Sequence, residues 1–258
     1  MEPTITTMSA LPAPQQAAAT HDALALIRRV WPRWLMEAGA PEPDSPPTDW
    51  LPLFARWPHL QLLLRDAGGA LLGVANSAPL SWSGDAAGLP DEGWDWAYSS
   101  ALADGDAGRA PRTLCALAVT LEPRAQGRGL SRRMLGALKA AALDAGLSQL
   151  IVPVRPNRKH AHPWMPMADY LQRVNAEGLP EDPWLRTHAR LDARIVGPCA
   201  RSMQLSGTVA DWQRWLGISL TDAPQQVAPT LLAPLSIDPD TRIARYVEPN
   251  VWVEHPLG

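Results

Sequence analysis

Residues 121–131 read LEPRAQGRGLS and run directly into RRMLGALKAAALDAG at 132–146. On the upstream side, TLCALAVTL (113–121) alternates bulky Cys115, Leu117, Val119 and Leu121 with small Ala116, Ala118 and Thr120. That is the period of two expected of a strand. On the downstream side Leu130, Met134, Leu138 and Ala141 or Ala142 recur at helical spacing, and Gly146 is a suitable stop just past the last turn. LSQLIVPV (147–154) is short and continuously apolar, so it reads as a buried strand. The unit is therefore strand, glycine loop, helix, strand, with a right-handed parallel crossover expected.

Two glycines flanked by arginines at the start of a helix have a physical use. The first backbone N–H groups of a helix lack intrahelical partners, and the helix dipole adds partial positive charge there. Gly127 and Gly129 lack a Cβ, so a diphosphate can approach those amides closely, and Arg128, Arg132 and Arg133 can supply charge around it. A bare G-x-G is more often a simple turn with solvated arginines, and it is the strand-loop-helix context that favours a phosphate site. The third glycine of a dinucleotide fingerprint is missing, as is the G-x-x-x-x-G-K pattern of a P-loop.

The run instead resembles the signature of the GNAT superfamily of acyl-CoA-dependent N-acyltransferases. In that signature a strand end is followed by Pro and then by [Gln/Arg]-x-x-Gly-x-[Gly/Ala]. Pro123, Gln126 and Gly129 match, with Gln126–Ser131 as the core; Ser131 departs from the usual Gly or Ala but is still small. The resemblance is specific over 114–157 and extends back to about His59. It implies an α/β fold with a mixed, mostly antiparallel sheet, splayed central strands, flanking helices and an extended C-terminal half. It further implies that acetyl-CoA or another acyl-CoA is the donor and an amine, small-molecule or peptide, the acceptor. By the same resemblance the amides of Gln126, Gly127, Arg128, Gly129, Leu130 and Ser131 would hold the coenzyme A diphosphate. Val119 and Leu121 would pair with pantetheine through their backbones, and Asn157 would belong to the cofactor site. The thioester would lie beside the Leu117–Val119 backbone, where an N–H can stabilise the developing oxyanion. Pro153 removes one donor from the neighbouring strand, compatible with strands parting there.

Acyl transfer to an amine needs a neutral nucleophile and ideally a proton for the departing thiolate. Tyr170 is the first candidate acid, on a helix expected from about Met165 to Ala176, although the loop from Asn157 is longer than the family usually has. Glu122, His160, His162 and His188 are candidate bases, beside an ordered water. Each has a plain alternative: a core tyrosine, a solvated carboxylate, ordinary histidines. His160-x-His162 without a nearby third ligand gives no metal site. Trp184, Arg186 and His188 can form one cluster, with Arg186 either gripping an acceptor carboxylate or serving a structural salt bridge. The aromatic set is lopsided, twelve Trp against three Tyr and one Phe. Trp164, Trp184, Trp212, Trp215 and Trp252 fall in the segment assigned to the acceptor, about 160–258, where they either line a bulky cavity or fill the core.

The chain of 258 residues is long enough for one large core. We expect a mobile leader over 1–20, rich in Ala, Pro, Gln and Thr, followed by a single domain over 21–258. Asp22 would cap a first helix that Pro32 splits, and APEPDSPPTDWLP (40–52) would be a linker. HLQLLLRD and ALLGVANSAPLSW around a glycine turn read as a hairpin. Residues 83–111 read as loop with at most one short helix. ARIVGPCARSMQLSG, APLSID and RIARYVEPNVWVEH read as strands, with a bulge or edge at Pro249, and TVADWQRWLG as a helix with a capping box from Thr208 to Asp211. A net charge of −3 gives no pull towards nucleic acid, and no apolar run approaches the length of a membrane helix, so a cytoplasmic protein is expected. Cys115 and Cys199 read as buried hydrophobes, leaving direct attack without a covalent enzyme intermediate. The rival from another class is a non-catalytic acyl-CoA-binding module. Acceptor, acyl length and oligomeric state are not legible at this level.

Overall fold

A computed structural model describes residues 2–38 and 50–257. In chain order its elements are β1 (Thr4–Thr7), α1 (Ala13–Val30), α2 (Arg33–Glu37), α3 (Leu51–Arg56), β2 (Leu62–Arg65), β3 (Leu71–Leu80) and α4 (Gly93–Asp106). There follow β4 (Thr113–Leu121), α5 (Leu130–Asp144), β5 (Gln149–Val154), α6 (Met167–Leu171), α7 (Pro183–Ala189) and β6 (Arg194–Thr208). The chain ends with α8 (Val209–Leu216), β7 (Gln225–Gln226), β8 (Leu235–Ile237) and β9 (Ile243–His255). The strands form one sheet in the order β1-β2-β3-β4-β5-β9-β8-β7, with β6 also paired to β9. Only β4 and β5 run parallel, as the crossover through α5 requires; every other pairing is antiparallel. The expected mixed, mostly antiparallel sheet is thus present. Among the described residues no helix is long and apolar enough to cross a membrane.

The sheet separates two apolar layers. On one face lie α1, α2, α3, α4 and α8, packed through Leu26, Ile27, Trp34, Phe54, Trp94, Tyr98 and Trp212. On the other lie α5, α6 and α7, packed through Met134, Leu135, Leu138, Tyr170 and Leu185. The split of the first helix at Pro32 is seen: α1 ends at Val30, and Pro32 occupies the N-cap of α2. The hairpin β2–β3, the strand β9 and the Thr208–Asp211 capping box also form as read. Pro249 sits where three residues of β6, 200–202, bulge out between Cys199↔Asn250 and Met203↔Glu248.

Four local expectations need correction. Residues 4–30 are ordered strand and helix, not a mobile leader. β1 pairs with β2 through its backbone, and α1 starts at Ala13 because Ala and Gln are strong helix formers. Its contacts include the small buried Ala19 and Ala23, which a search for large apolar side chains passes over. Residues 93–106 form a fourteen-residue helix, longer than the one short helix allowed at the aromatic residues of an expected loop. The buried Trp94, Ala97, Tyr98 and Ala101 supply the helical stripe, while Asp104 accepts from Ser81 N at 2.7 Å and from Arg109 at 2.5 Å. The helix expected over 165–176 is confined to Met167–Leu171. Most of the linker proposed over 40–52 lies outside the described residues.

The fourth correction concerns β4. Asn76 of β3 faces Ala118 and Ser77 faces Ala116, so Leu117 is an extra residue without a register partner. This β-bulge puts Leu117 and Ala118 on the same face as Cys115, whereas Ala116 and Leu121 face α5. The apparent single alternation of bulky residues along 115–121 therefore divides between both faces.

Two buried features generate measurable expectations. Gly93 has φ +37°, and a Cβ there would meet Ser202 Oγ at 2.3 Å and Cys199 Sγ at 2.9 Å. Gly93→Ala is expected to cost about 1–3 kcal/mol, the usual range for overpacking, read by denaturant unfolding; a change under ~0.5 kcal/mol would contradict this packing. His188 and His255 are both buried, with His188 Nδ1 and His255 Nε2 2.8 Å apart. Burial, and then the neighbouring His255, lowers His188 to about 3; burial, and then Lys139, lowers His255 to about 4. Because these folded values lie below that of the unfolded chain, their stabilisation is present above pH ~6.5 and is lost as pH falls towards 4. Unfolding followed across that window should show a loss on the order of 3 kcal/mol for each histidine, with a shallower slope in His188→Asn.

Candidate active site

β4 and β5 pair only from Thr113–Cys115 to Gln149–Ile151. Beyond that point β4 continues to Leu121 and β5 to Val154 with no register between them, so the two strands splay. β5 keeps its other neighbour, β9, through Leu150–Val154. Pro153, lacking an N–H, lies in the unpaired stretch, and Leu117 forms the bulge opposite the opening. Trp94 Nε1 donates to the Leu117 carbonyl at 3.1 Å and fixes the bulge to α4.

A cavity of about 770 Å³ runs through this gap. Ala116–Leu121 and Val152–Val154 line its middle, and its two ends belong to opposite faces of the sheet. At the α5 end stand Gln126, Gly127, Gly129, Ser131 and Arg132. Gly127 (φ 71°) and Gly129 (φ 72°) occupy the left-handed region, and an added Cβ at either would meet nothing within 4 Å. Gly129 is the N-cap of α5, and no side chain caps that end. The first amides of the helix are therefore offered, with the positive end of its dipole, to whatever lies over the loop. That arrangement fits a diphosphate.

The residues assigned to the donor by resemblance largely converge here. Leu117, Val119, Leu121, Gln126, Gly127, Gly129, Ser131 and Asn157 all line the cavity. Arg128 and Leu130 do not. Leu130 is buried beneath the loop, while Arg128 is exposed on its outer side with Arg124. Of the three arginines expected around the anion, Arg132 alone lines the cavity; Arg133 Nη2 donates to Pro3 O at 2.8 Å and so ties down the N-terminal segment.

The candidate acids and bases lie elsewhere. Tyr170 is buried and donates its hydroxyl to Asp182 Oδ2 at 2.9 Å; burial and then the Asp182 charge raise its pKa well above the ordinary phenol range. Asp182 also accepts from the amides of Trp184, Leu185 and Arg158, so this group holds the start of α7 in place. Glu122 is paired with Arg29, and His188 with His255. None of the three lines the cavity. His160 is exposed, and Arg186 donates to the carbonyls of Pro180 and Glu181.

At the far end, on the α1–α4 face, the wall is aromatic and acidic: Trp31, Trp50, Trp94, Asp95 and Asn250. Trp31 Nε1 donates to Thr120 Oγ1 at 2.7 Å and fastens the end of α1 over β4. Asp95 accepts from Gln204 N at 3.1 Å. Burial raises its pKa to about 7 against the pull of that amide, and the charge of Glu248 adds to the rise. Glu248 is wholly buried, takes both oxygens to Arg155 Nε (2.9 and 3.0 Å) and accepts from the Tyr246 hydroxyl at 2.9 Å. Arg155, also in the cavity wall, donates to Thr230 O at 2.5 Å and stacks over Trp34 at 5.7 Å.

Asp95, Trp31 and Trp50 lie in segments read as loop, linker or plain helix, so sequence reasoning missed this end. Of the five C-terminal tryptophans expected to bear on the acceptor, Trp184 alone lines the cavity. Trp212, Trp215 and Trp252 are core, and Trp164 is exposed. The spacing Trp94, Ala97, Tyr98, Ala101 was the available signal for α4 and hence for Asp95.

No family model matches the chain. Arginine N-acetyltransferase avaD of Aspergillus versicolor is 30% identical over 251 residues, spanning 88% of this chain and 86% of that protein. Among solved structures, the loading GNATL domain of CurA from Lyngbya majuscula superposes with a TM-score of 0.60 at 16% identity, covering 100% of this chain and 98% of that one. The GphF GNAT-like decarboxylase in complex with isobutyryl-CoA gives 0.57 at 17% identity, covering both chains completely. At such identities the two structures speak to fold alone. A splayed parallel pair, an uncapped glycine-loop helix and a full-length relative agree, and the chain belongs to the GNAT superfamily of acetyl-CoA-dependent N-acetyltransferases.

Proposed function

We propose that this enzyme acetylates an amine of arginine or of a small molecule carrying an arginine-like side chain. The observation that carries the reading is the single cavity that threads the sheet between β4 and β5, with an anion-binding loop at one end and a carboxylate at the other. The donor would enter on the α5 face. Gln126–Ser131 would bind its diphosphate through backbone amides, assisted by Arg132, and the free edge of β4 at Val119 and Leu121 would hold the pantetheine arm as an added strand. The bulge at Leu117 would present backbone to the thioester carbonyl.

The opposite end suits an acceptor rich in N–H groups and positive charge. Asp95 is an acceptor, and Trp31, Trp50 and Trp94 offer ring faces on which a guanidinium or ammonium is attracted. The relative of Aspergillus versicolor, an arginine N-acetyltransferase, supports the same class.

Calorimetric titration of acetyl-CoA into the wild type and into Gly129→Trp tests the donor half. Binding should be lost in the folded variant, because an indole at that position covers the helix N-terminus. Assays of acetyl transfer to arginine, agmatine, lysine and a peptide N-terminus test the acceptor half. Preference for the guanidinium-bearing amines is expected; equal rates with all four would remove the arginine assignment.

A further inference from the structure

Two residues in the cavity wall on the α1–α4 face, Asp95 and Asn250, carry acceptor oxygens short of donors. Asn250 is 1% exposed; its Nδ2 donates to Ser202 Oγ at 2.9 Å and to Pro153 O at 3.5 Å, while its Oδ1 has no partner. Asp95 has one hydrogen bond to its carboxylate, from Gln204 N, and forms no ion pair among the described residues. A buried unpaired acceptor costs on the order of 1–3 kcal/mol, and a partly buried carboxylate without a cation more, unless a ligand satisfies them.

The two groups share one frame. Ser202 Oγ, which accepts from Asn250, also accepts from Trp94 N at 2.9 Å, and Trp94 precedes Asp95 on α4. Ser202 stands in the β6 bulge opposite Pro249, and Gly93 allows the close approach by having no side chain. Trp94 in turn grips Leu117 O at the bulge of β4, so the same turn of α4 contacts the strand assigned to the thioester and carries the carboxylate.

We infer that Asp95 accepts the proton of the attacking amine, with Asn250 and Ser202 holding its turn of α4 in position. The inference rests on the N-acetyltransferase reading of the cavity. The acceptor binds as an ammonium and gives one proton to the Asp95 carboxylate. The freed nitrogen lone pair forms the C–N bond to the thioester carbonyl carbon, the C–S bond breaks, and the departing thiolate takes the second nitrogen proton. The products are the amide and the free thiol, and Asp95 returns its proton to solvent.

The charges around Asp95 leave it suited to that exchange at neutral pH. From β9 it feels the negative Glu248, itself held by Arg155 and Tyr246. From β6 it receives the Gln204 amide, while Arg201 is engaged with Glu92 and the Cys199 thiol is pushed up to about 12 by burial. β3 and β4 carry no charged side chain, and the Cys115 thiol is buried. Burial thus holds Asp95 near neutrality, where a general base is most effective.

Asp95→Asn and Asp95→Glu should be compared with the wild type using acetyl-CoA and arginine. The wild-type kcat/KM is expected to rise with pH through about 7 as Asp95 ionises. In Asp95→Asn, kcat should fall about 100-fold or more at pH 7, the limb near 7 should vanish, and acetyl-CoA affinity by calorimetry should stay within twofold. Asp95→Glu should retain a limb, displaced in pH. Removing a carboxylate whose folded pKa is raised should also increase the melting temperature at pH 8. Should Asp95→Asn fail to fold, the displaced limb of Asp95→Glu reads the same point. An Asp95→Asn enzyme with the wild-type pH profile and kcat within threefold would overturn the inference while leaving the acetyltransferase intact. A wild type that binds acetyl-CoA and acetylates no amine would overturn both.

Discussion

Cys115 and Ile151 are the last hydrogen-bonded partners of β4 and β5, and the site depends on the pairing ending there. Two adjacent parallel strands would ordinarily satisfy each other's backbone to their ends. Here the unpaired edges become the walls of a cavity, and the groups that would have bonded to each other are available to a ligand lying between them. The separation is sustained from both sides. β5 is anchored to β9 along Leu150–Val154, and β4 is anchored to β3 on either side of the Leu117 bulge. Trp94 and Trp31 then hold β4 to the helices above through the Leu117 carbonyl and the Thr120 hydroxyl.

The end of the cavity proposed for the donor was legible in the sequence because its determinants are local. Glycines at positive φ, an uncapped helix start and the strand on either side occupy one continuous run of the chain, from Thr113 to Val154. The end proposed for the acceptor was not, because it is assembled from the end of α1, α2, the start of α3, α4, β6 and β9. Asp95 lies in a segment whose Gly and Asp content reads as loop, and only tertiary packing of Trp94, Ala97, Tyr98 and Ala101 makes it a helix. Asn250 follows Pro249 in a strand, where nothing local announces that its oxygen will be left without a partner. The tyrosine expected to act as acid failed for a related reason: the length of the loop after Asn157 places Tyr170 against Asp182 in the other apolar layer.

The buried charges show a division of labour. Glu248 is compensated by Arg155 and Tyr246, and that network braces the 230–232 segment through Thr230 O and Leu232 N. Asp95, a short distance along the same wall, has no such compensation. The two carboxylates are thus held differently, Glu248 surrounded by donors and Asp95 short of them.

The uneven use of tryptophan has an optical consequence. Trp31, Trp50, Trp94 and Trp184 border the cavity, whereas Trp212 and Trp252 are core side chains that do not line it. Filling the cavity replaces water beside the first group and leaves the second untouched, while unfolding exposes both. The intrinsic emission of the protein therefore carries separable signals for occupancy and for integrity, and no attached dye is needed to follow either.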